Sequence, residues 1–355
     1  MKRRYALYPL LPFYSFGVWL RNRFFDWNFL KSESFPIPII SIGNICVGGS
    51  GKTPHTEFFI RMLKDNFNVA VLSRGYKRKS KGFVLADENS SADLIGDEPF
   101  QIKHKFKDIT VAVDANRRRG IKNILALKPK TDVILLDDAF QHRYVNPKIS
   151  VLLCDYNNMF YNDMLLPVGN LREPASARFR ANVVIVSKCP ENIIPIDKRI
   201  LIKRLNLFPY QKLFFTSFVY GSPVAVFEEN PNSVLSQKIL GKGYSILAVS
   251  GIANPKPFDD YLASHGANVT SIHYNDHHNF SKKDINHIIE KFNSIRNNNK
   301  ERTYIIVTEK DAARLVNMNI PSDIKERMYA LPLRVNVNEN ESYILREYIF
   351  NSIKK

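Results

Sequence analysis

The stretch VGGSGKTP, residues 47 to 54, combines three glycines with a lysine and a threonine. Gly48, Gly49 and Gly51 let the backbone turn tightly enough for its N–H groups to converge on an anion. Lys52 is then placed to reach the β- and γ-phosphates of a nucleotide, and the Thr53 hydroxyl to ligate magnesium. The loop follows an apolar run, IPIISIG (37–43), and precedes a helical stretch whose positive N-terminal end adds to the anion site. Pro54 falls in the first turn, where its missing N–H does no harm. The strict G-x-x-x-x-G-K-[ST] pattern has Cys46 at its first glycine position, so the loop is assigned as Cys46, Val47, Gly48, Gly49, Ser50, Gly51, Lys52 and Thr53 from its context between strand and helix.

Phosphoryl transfer also needs a carboxylate at a strand end to handle the metal. DVILLDDAFQH supplies two, Asp137 and Asp138, with Gln141 and His142 behind them. Adjacent carboxylates at a strand exit repel each other unless positive charge stands nearby, and magnesium triphosphate is such a partner. A guanine-reading N-K-x-D motif is not met: SKCP, residues 187 to 190, has Pro190 where the aspartate belongs. ATP and Mg2+ are therefore the expected ligands.

Behind these residues stand short apolar runs at 37–43, 69–73, 109–113, 132–137, 150–154, 183–187, 212–218, 245–251, 269–274 and 303–308. Stretches long enough for helices separate many of them, among them 53–65, 115–127, 256–265 and 281–296. Continuous apolar strands alternating with helices predict an α/β fold with a mostly parallel sheet covered on both faces. The runs are too many for one small sheet. A composition change near 205–245 marks a connection, and we expect a P-loop domain at 31–215 and a smaller α/β domain with a C-terminal return segment at 216–355.

Residues 1–30 are set apart. Three basic residues precede an uncharged run from Tyr5 to Leu20 that Pro9 and Pro12 interrupt and that is too short to span a bilayer. No small-x-small cleavage site follows it. From Pro12 onward Phe13, Phe16, Trp19, Leu20, Phe24 and Trp27 recur at helical spacing, with Arg21 and Arg23 near the edges of the face. This predicts an amphipathic helix lying in the headgroup region of a membrane; packing on its own domain is the competing expectation. The formal charge of +17, from 51 Lys and Arg against 34 Asp and Glu, suits anionic partners. Cys46, Cys154 and Cys189 are scattered and odd in number, which gives no disulfide framework or structural zinc site.

GNICVGGSGKTP, LSRGY (72–76), GDEP (96–99), DDAFQH (137–142), LLPVGNLREP (165–174), SGIANP (250–255), NDHH (275–278) and TEKD (308–311) together resemble, in order, the tetraacyldisaccharide 4'-kinases of Gram-negative bacteria. The resemblance implies ATP-dependent phosphorylation of the 4'-hydroxyl of a tetraacylated glucosamine disaccharide 1-phosphate, forming the 4'-phosphate of lipid A. It implies a peripheral enzyme at the cytoplasmic face of the inner membrane, whose partners are the anionic glycolipid and the membrane surface. Neither nucleic acid nor an obligate protein partner is expected. Carried over by residue, Asp137 and Asp138 handle the metal with Thr53, Glu173 of LREP approaches it, and Asp97 of GDEP is the catalytic base with His277 of NDHH as partner. Arg74, Arg117, Arg118, Arg119, Arg172 and His142 are candidates for substrate binding on chemical grounds. Two positions depart from the family pattern: Ala139 and Lys77 stand where glycine is usual. The alternative is a P-loop switch or metal-delivery protein, whose N-K-x-D or Cys/His cluster is not found; adjacent His277 and His278 diverge and make a poor metal site.

Overall fold

The computed structural model describes residues 4–276, 278–296 and 302–354. The chain forms two compact units, residues 1–218 with 335–355 and residues 219–334.

The first unit opens with a 3-10 turn, Tyr5–Leu10, that runs into helix α1, Leu11–Asp26. Next come strand β1 (Ile39–Gly43), helix α2 (Lys52–Leu63), strands β2 (Val69–Ser73) and β3 (Val84–Leu85), and helices α3 (Ala92–Ile95) and α4 (Asp97–Lys105). They are followed by β4 (Thr110–Val113), α5 (Arg117–Leu127), β5 (Val133–Leu136), β6 (Ile149–Asp155), β7 (Val183–Ser187), α6 (Pro195–Leu205) and β8 (Lys212–Tyr220). In the second unit lie β9 (Val224–Ala225), β10 (Ser245–Ser250), α7 (Lys256–Ser264), β11 (Asn268–His273), α8 (Lys282–Arg296), β12 (Thr303–Thr308), α9 (Glu309–Leu315), α10 (Ser322–Lys325) and β13 (Met328–Leu331). Strand β14 (Leu333–Val337) and helix α11 (Glu339–Lys354) bring the chain back to the first unit.

Among the described residues the first unit's sheet has nine strands in the order β14-β8-β7-β6-β1-β5-β2-β4-β3. The pairs from β8 to β4 are parallel, and the two-residue β3 pairs antiparallel with β4. β1, β2 and β5 are buried along their whole length, as expected of parallel strands with both faces covered. One face packs Ile39, Leu72, Ile121, Ile124 and Leu136; the other packs Phe140, Leu152, Phe160, Val184 and Phe215. β1 lies between β5 and β6, with Ser41 opposite Leu136. The strand that leads into the glycine loop is thus hydrogen-bonded to the strand that ends in the two aspartates.

Among the described residues the second unit has a five-stranded sheet in the order β11-β10-β12-β13-β9, parallel apart from β9. β3, β9, β13 and β14 are additions to the runs expected from sequence. β3 and β9 are two residues long, and β14 reads LRVNV, an alternating run without the apolar continuity of a central strand.

Candidate active site

The loop from Asn44 to Gly51 is held from several sides. Asn44 donates to Ser50 Oγ at 2.8 Å, and Ser187 Oγ, at the end of β7, donates to the Ser50 carbonyl at 3.0 Å. The Val47 N–H donates to Asn170 O at 2.7 Å, and Gln141 Nε2 to Asn44 O at 2.7 Å. Gly51 has φ +79° as the residue that caps α2, and a Cβ there would meet the Phe218 ring at 2.4 Å, so only glycine fits. A Cβ on Gly49, by contrast, would meet nothing within 4 Å, which leaves the middle of the loop open to a ligand.

α2 begins at Lys52, so Lys52 and Thr53 sit at its positive end. Lys52 Nζ lies 3.7 Å from Asp138 Oδ2, and Arg172 Nη1 lies 3.1 Å from Asp138 Oδ1. Asp138 adopts φ +44°, a left-handed conformation that aspartate tolerates better than most residues. Asp137 is buried and accepts from Thr56 Oγ1 at 3.1 Å and from Ser73 Oγ at 3.4 Å. Burial pushes its pKa up to about 6, with Asp138 and Glu98 adding to the rise and Lys52 opposing it. The influence of Glu98 places the first turn of α4 within electrostatic reach of the aspartates. That turn begins with Asp97, and Gly96, at φ +94°, makes the bend that presents it.

Beside this centre is a basic group. Arg118, His142, Tyr144, Ala115 and Asn116 line a cavity of about 350 Å³, and the Arg118 guanidinium lies 5.2 Å from the centre of the Tyr144 ring. His142 Nε2 is buried without a hydrogen-bond partner. Its pKa falls to about 4, first through burial and then through Arg117, Arg21, Arg118 and Arg74. Arg74 and Arg118 therefore set a positive neighbourhood around His142, whose own ring is neutral near neutral pH.

Three expected residues have protein partners of their own in the structure. Arg117 is buried and donates to the carbonyls of Asp114 and Asp137, so it braces the strand ends and presents no guanidinium to a ligand. Arg119 grips Asp114 with Nε and Nη2 at 2.8 and 2.9 Å, so one edge of its fork is turned to that carboxylate. Glu173 is buried and paired with Arg180, and among the described residues no group of three or more His, Cys, Asp or Glu side chains is placed to hold a metal ion. His277 lies outside the described residues. The two departures from the family pattern have different characters. Lys77 is at φ +59°, where glycine is free of strain, whereas Ala139 has no positive φ and its methyl is buried without difficulty.

Thr56, Ser73 and His55 were not anticipated. His55 is fully buried and bridges Gly51 O at 2.7 Å and Thr216 Oγ1 at 3.0 Å. Because a carbonyl only accepts, Nδ1 carries the proton toward Gly51 and Nε2 accepts from Thr216. Thr56 stands one helical turn after Thr53, a spacing that offers the only signal in the sequence.

A strand, an open glycine loop, a lysine and threonine at a helix start, and two aspartates on the neighbouring strand define a P-loop nucleotide-binding protein of the phosphoryl-transferring class. Comparison narrows the class. A family model described as tetraacyldisaccharide-1-P 4'-kinase matches residues 3–349. A tetraacyldisaccharide 4'-kinase of Bacteroides fragilis is 49% identical over 353 residues, 98% of this chain and 93% of that one. Another, of Flavobacterium johnsoniae, is 42% identical over 354 residues, covering 99% and 98%. The crystal structure of LpxK from Aquifex aeolicus in complex with ATP superposes with a TM-score of 0.76 at 27% identity, covering 99% of both chains. The chain belongs to the tetraacyldisaccharide-1-phosphate 4'-kinase family.

Proposed function

We propose that this kinase transfers the γ-phosphoryl group of ATP to the 4'-hydroxyl of a tetraacylated glucosamine disaccharide 1-phosphate, a lipid A precursor, at the cytoplasmic face of the inner membrane. The observation that carries the reading is the convergence of Lys52, Asp137 and Asp138 beneath an open glycine loop, in a chain matched by the family along 3–349.

The donor set fits magnesium. Thr53, Asp137 and Asp138 offer oxygen only, and Mg2+ is commonly held by one or two carboxylates with the rest of its shell from phosphate and water. Burial is the main cause of the raised pKa of Asp137, with the charges of Asp138 and Glu98 adding to it, and a bound cation would offset both. When bound there, Mg2+ would neutralise charge on the β- and γ-phosphates. The loop N–H groups and the start of α2 hold the phosphate chain, and Lys52 swings from Asp138 toward the transferring oxygens. Asp97 accepts the proton of the attacking hydroxyl, with His277 as its partner. Arg74, Arg118, Arg172 and His142 hold the acceptor, while Arg117, Arg119 and Glu173 maintain the scaffold. The exposed aromatic face of α1 contacts the membrane.

The test is transfer of radiolabelled phosphate from ATP to tetraacyldisaccharide 1-phosphate in detergent micelles. Wild-type protein should give the 4'-phosphorylated product, and Lys52→Ala should lose turnover by roughly 10²-fold or more at saturating ATP, because charge stabilisation dominates phosphoryl transfer. Near-normal turnover in a folded Lys52→Ala protein would remove the loop from the mechanism. Absence of product from wild-type protein that binds ATP would overturn the acceptor assignment.

A further inference from the structure

Helix α6 carries a surface that the phosphate site does not use. Leu201 and Leu205 are buried and fix its inward side against Phe160, Val186 and Phe215. The outward side of such a helix is ordinarily polar. Here Ile196 and Ile200, one turn apart, are 58% and 43% exposed, and Ile202 is 47% exposed. Ile194, just before the helix, is exposed as well. Between them Arg199, Lys203 and Arg204 face solvent, and the one acidic residue of the helix, Asp197, is half-buried. Past the helix end, exposed Phe208 and Tyr210 stack with their ring centres 5.7 Å apart.

The patch adjoins the N-terminal helix through one segment. Tyr161 packs against the core beneath α6, and the Arg204 guanidinium lies 5.9 Å from its ring centre. Three residues on, Met164 Sδ accepts from the Tyr8 hydroxyl at 3.4 Å, and Arg172 O accepts from the Tyr14 hydroxyl at 3.1 Å. The segment 161–172 therefore touches both helices. Aliphatic side chains interleaved with bases, without an outward acid, match the interface of an anionic bilayer: isoleucine enters the acyl boundary while guanidinium and ammonium groups meet headgroup phosphates.

We propose that α6 is a second lipid-contacting element, which seats Ile196 and Ile200, with Ile202 at the flank of that face, in an anionic membrane beside α1. The proposal rests on the reading that the protein works at a membrane surface and adds a separate contact to it. The experiment is co-sedimentation of the full-length protein with vesicles of phosphatidylglycerol and phosphatidylethanolamine. Wild type is compared with the triple variant Ile196→Gln, Ile200→Gln, Ile202→Gln and with Phe13→Ser, Phe16→Ser, Trp19→Ser. All three α6 positions are exposed, so the fold should hold and turnover in detergent micelles should stay at the wild-type level. Partition of the α6 variant should fall about tenfold or more, since affinity scales with apolar area inserted. Unchanged partition of the α6 variant, with loss in the α1 variant, would overturn the proposal and leave the membrane reading standing. Failure of wild type to bind any vesicle would overturn both. If wild type is a dimer by light scattering and the α6 variant is a monomer that still binds vesicles, the patch is a self-interface and the proposal falls.

Discussion

His55 shows how a residue remote from any phosphate contact can govern the loop that makes one. Its neutral ring links Gly51, the last residue of the loop, to Thr216 on β8, and a proton on Nε2 would face a hydroxyl held inside the protein. Burial lowers its pKa from 6.5 to about 4, and Lys188 lowers it further, against the hydrogen bond to Gly51. The unfolded chain therefore binds a proton between pH 6.5 and about 4 that the folded chain refuses. Stability from this group is complete above pH 6.5 and is lost as pH falls toward 4, by about 3 kcal/mol for a shift of this size. His142, also lowered to about 4, adds a slope of the same sign. We expect the Tm of the wild type to fall between pH 6.5 and 4.5, and His55→Gln to flatten that fall while lowering Tm at pH 7.5. An unchanged slope in the variant would show that His55 does not carry the dependence. At this scale the sequence was legible where candidate groups are neighbours in the chain, as Lys52 is with Thr53 and Asp137 with Asp138, and the sheet then brings Lys52 to 3.7 Å from Asp138. It was silent on pairs such as Arg172 with Asp138 or His55 with Thr216, which are 34 and 161 residues apart and meet only through the sheet. The three consecutive arginines looked equivalent, yet successive positions on a helix point in different directions. Arg117 is therefore buried, Arg119 is paired and Arg118 is left to line the cavity.

Two helices begin at residues proposed to work on the phosphate: α2 at Lys52 and α4 at Asp97. What holds them in register is Glu57, only 1% exposed. It receives Arg61 of its own helix at 2.8 Å, Gln101 of α4 at 2.8 Å and Lys105 of α4 at 2.6 Å. A buried carboxylate with three charged or polar partners stays fixed, whereas one left unpaired would be costly. Glu57 is thus a positioning residue for the Asp97 turn. Glu57→Ala should leave the KM for ATP within about twofold while lowering kcat by about tenfold or more, because small displacements of a reacting group cost much of its effect. Glu57→Gln, which keeps an acceptor for Lys105 and Arg61, should recover most of kcat. Parallel losses in kcat and ATP affinity for both variants would assign Glu57 to fold stability alone. The strand pattern was legible because fully buried parallel strands need apolar runs, and α2, α5, α7 and α8 fall on the stretches expected to be helical. The ion-pair cluster that locks α4 to α2 was not, since Glu57, Gln101 and Lys105 read as ordinary surface residues in a one-dimensional pattern.

Over the whole molecule, net charge and the N-terminal helix raise one question from two directions. No helix of the described residues is long and apolar enough to cross a membrane, and the membrane contact proposed above is one of surfaces. The sequence offered two readings of α1, membrane contact or packing on its own domain; one face of the helix packs on the domain and the other is exposed. Phe25 is 5% exposed, meets the Tyr144 ring at 4.9 Å, and lies under the guanidinium groups of Arg21 and Arg143 at 5.4 and 5.0 Å. Arg21 donates to Gln141 O, and Tyr14 to Arg172 O, so the inner face clamps segments that carry site residues. On the other side Phe13, Phe16 and Trp19 are 76%, 60% and 47% exposed, with Phe16 and Trp19 stacked at 5.9 Å. The return of the chain at Val335 was less legible: α11 buries Leu345 and Ile349 in the first unit, and its pattern does not say which unit receives that face. Deleting residues 1–28 would remove both faces of α1 together, so point variants separate the roles. Phe13→Ser, Phe16→Ser, Trp19→Ser should move the protein from membranes to solution, more sharply as salt rises and the +17 charge is screened, with turnover in detergent micelles unaffected. Phe25→Ala should leave partition as it is and destabilise the fold by about 3–5 kcal/mol, the range for a buried aromatic ring replaced by alanine. It should also lower turnover, because its neighbour Arg143 follows the aspartate loop in sequence. Sedimentation with vesicles, thermal denaturation and the micelle assay read the three effects independently. Equal loss of membrane binding in both variants would mean that α1 inserts as a whole and leaves its site on the protein when it does so.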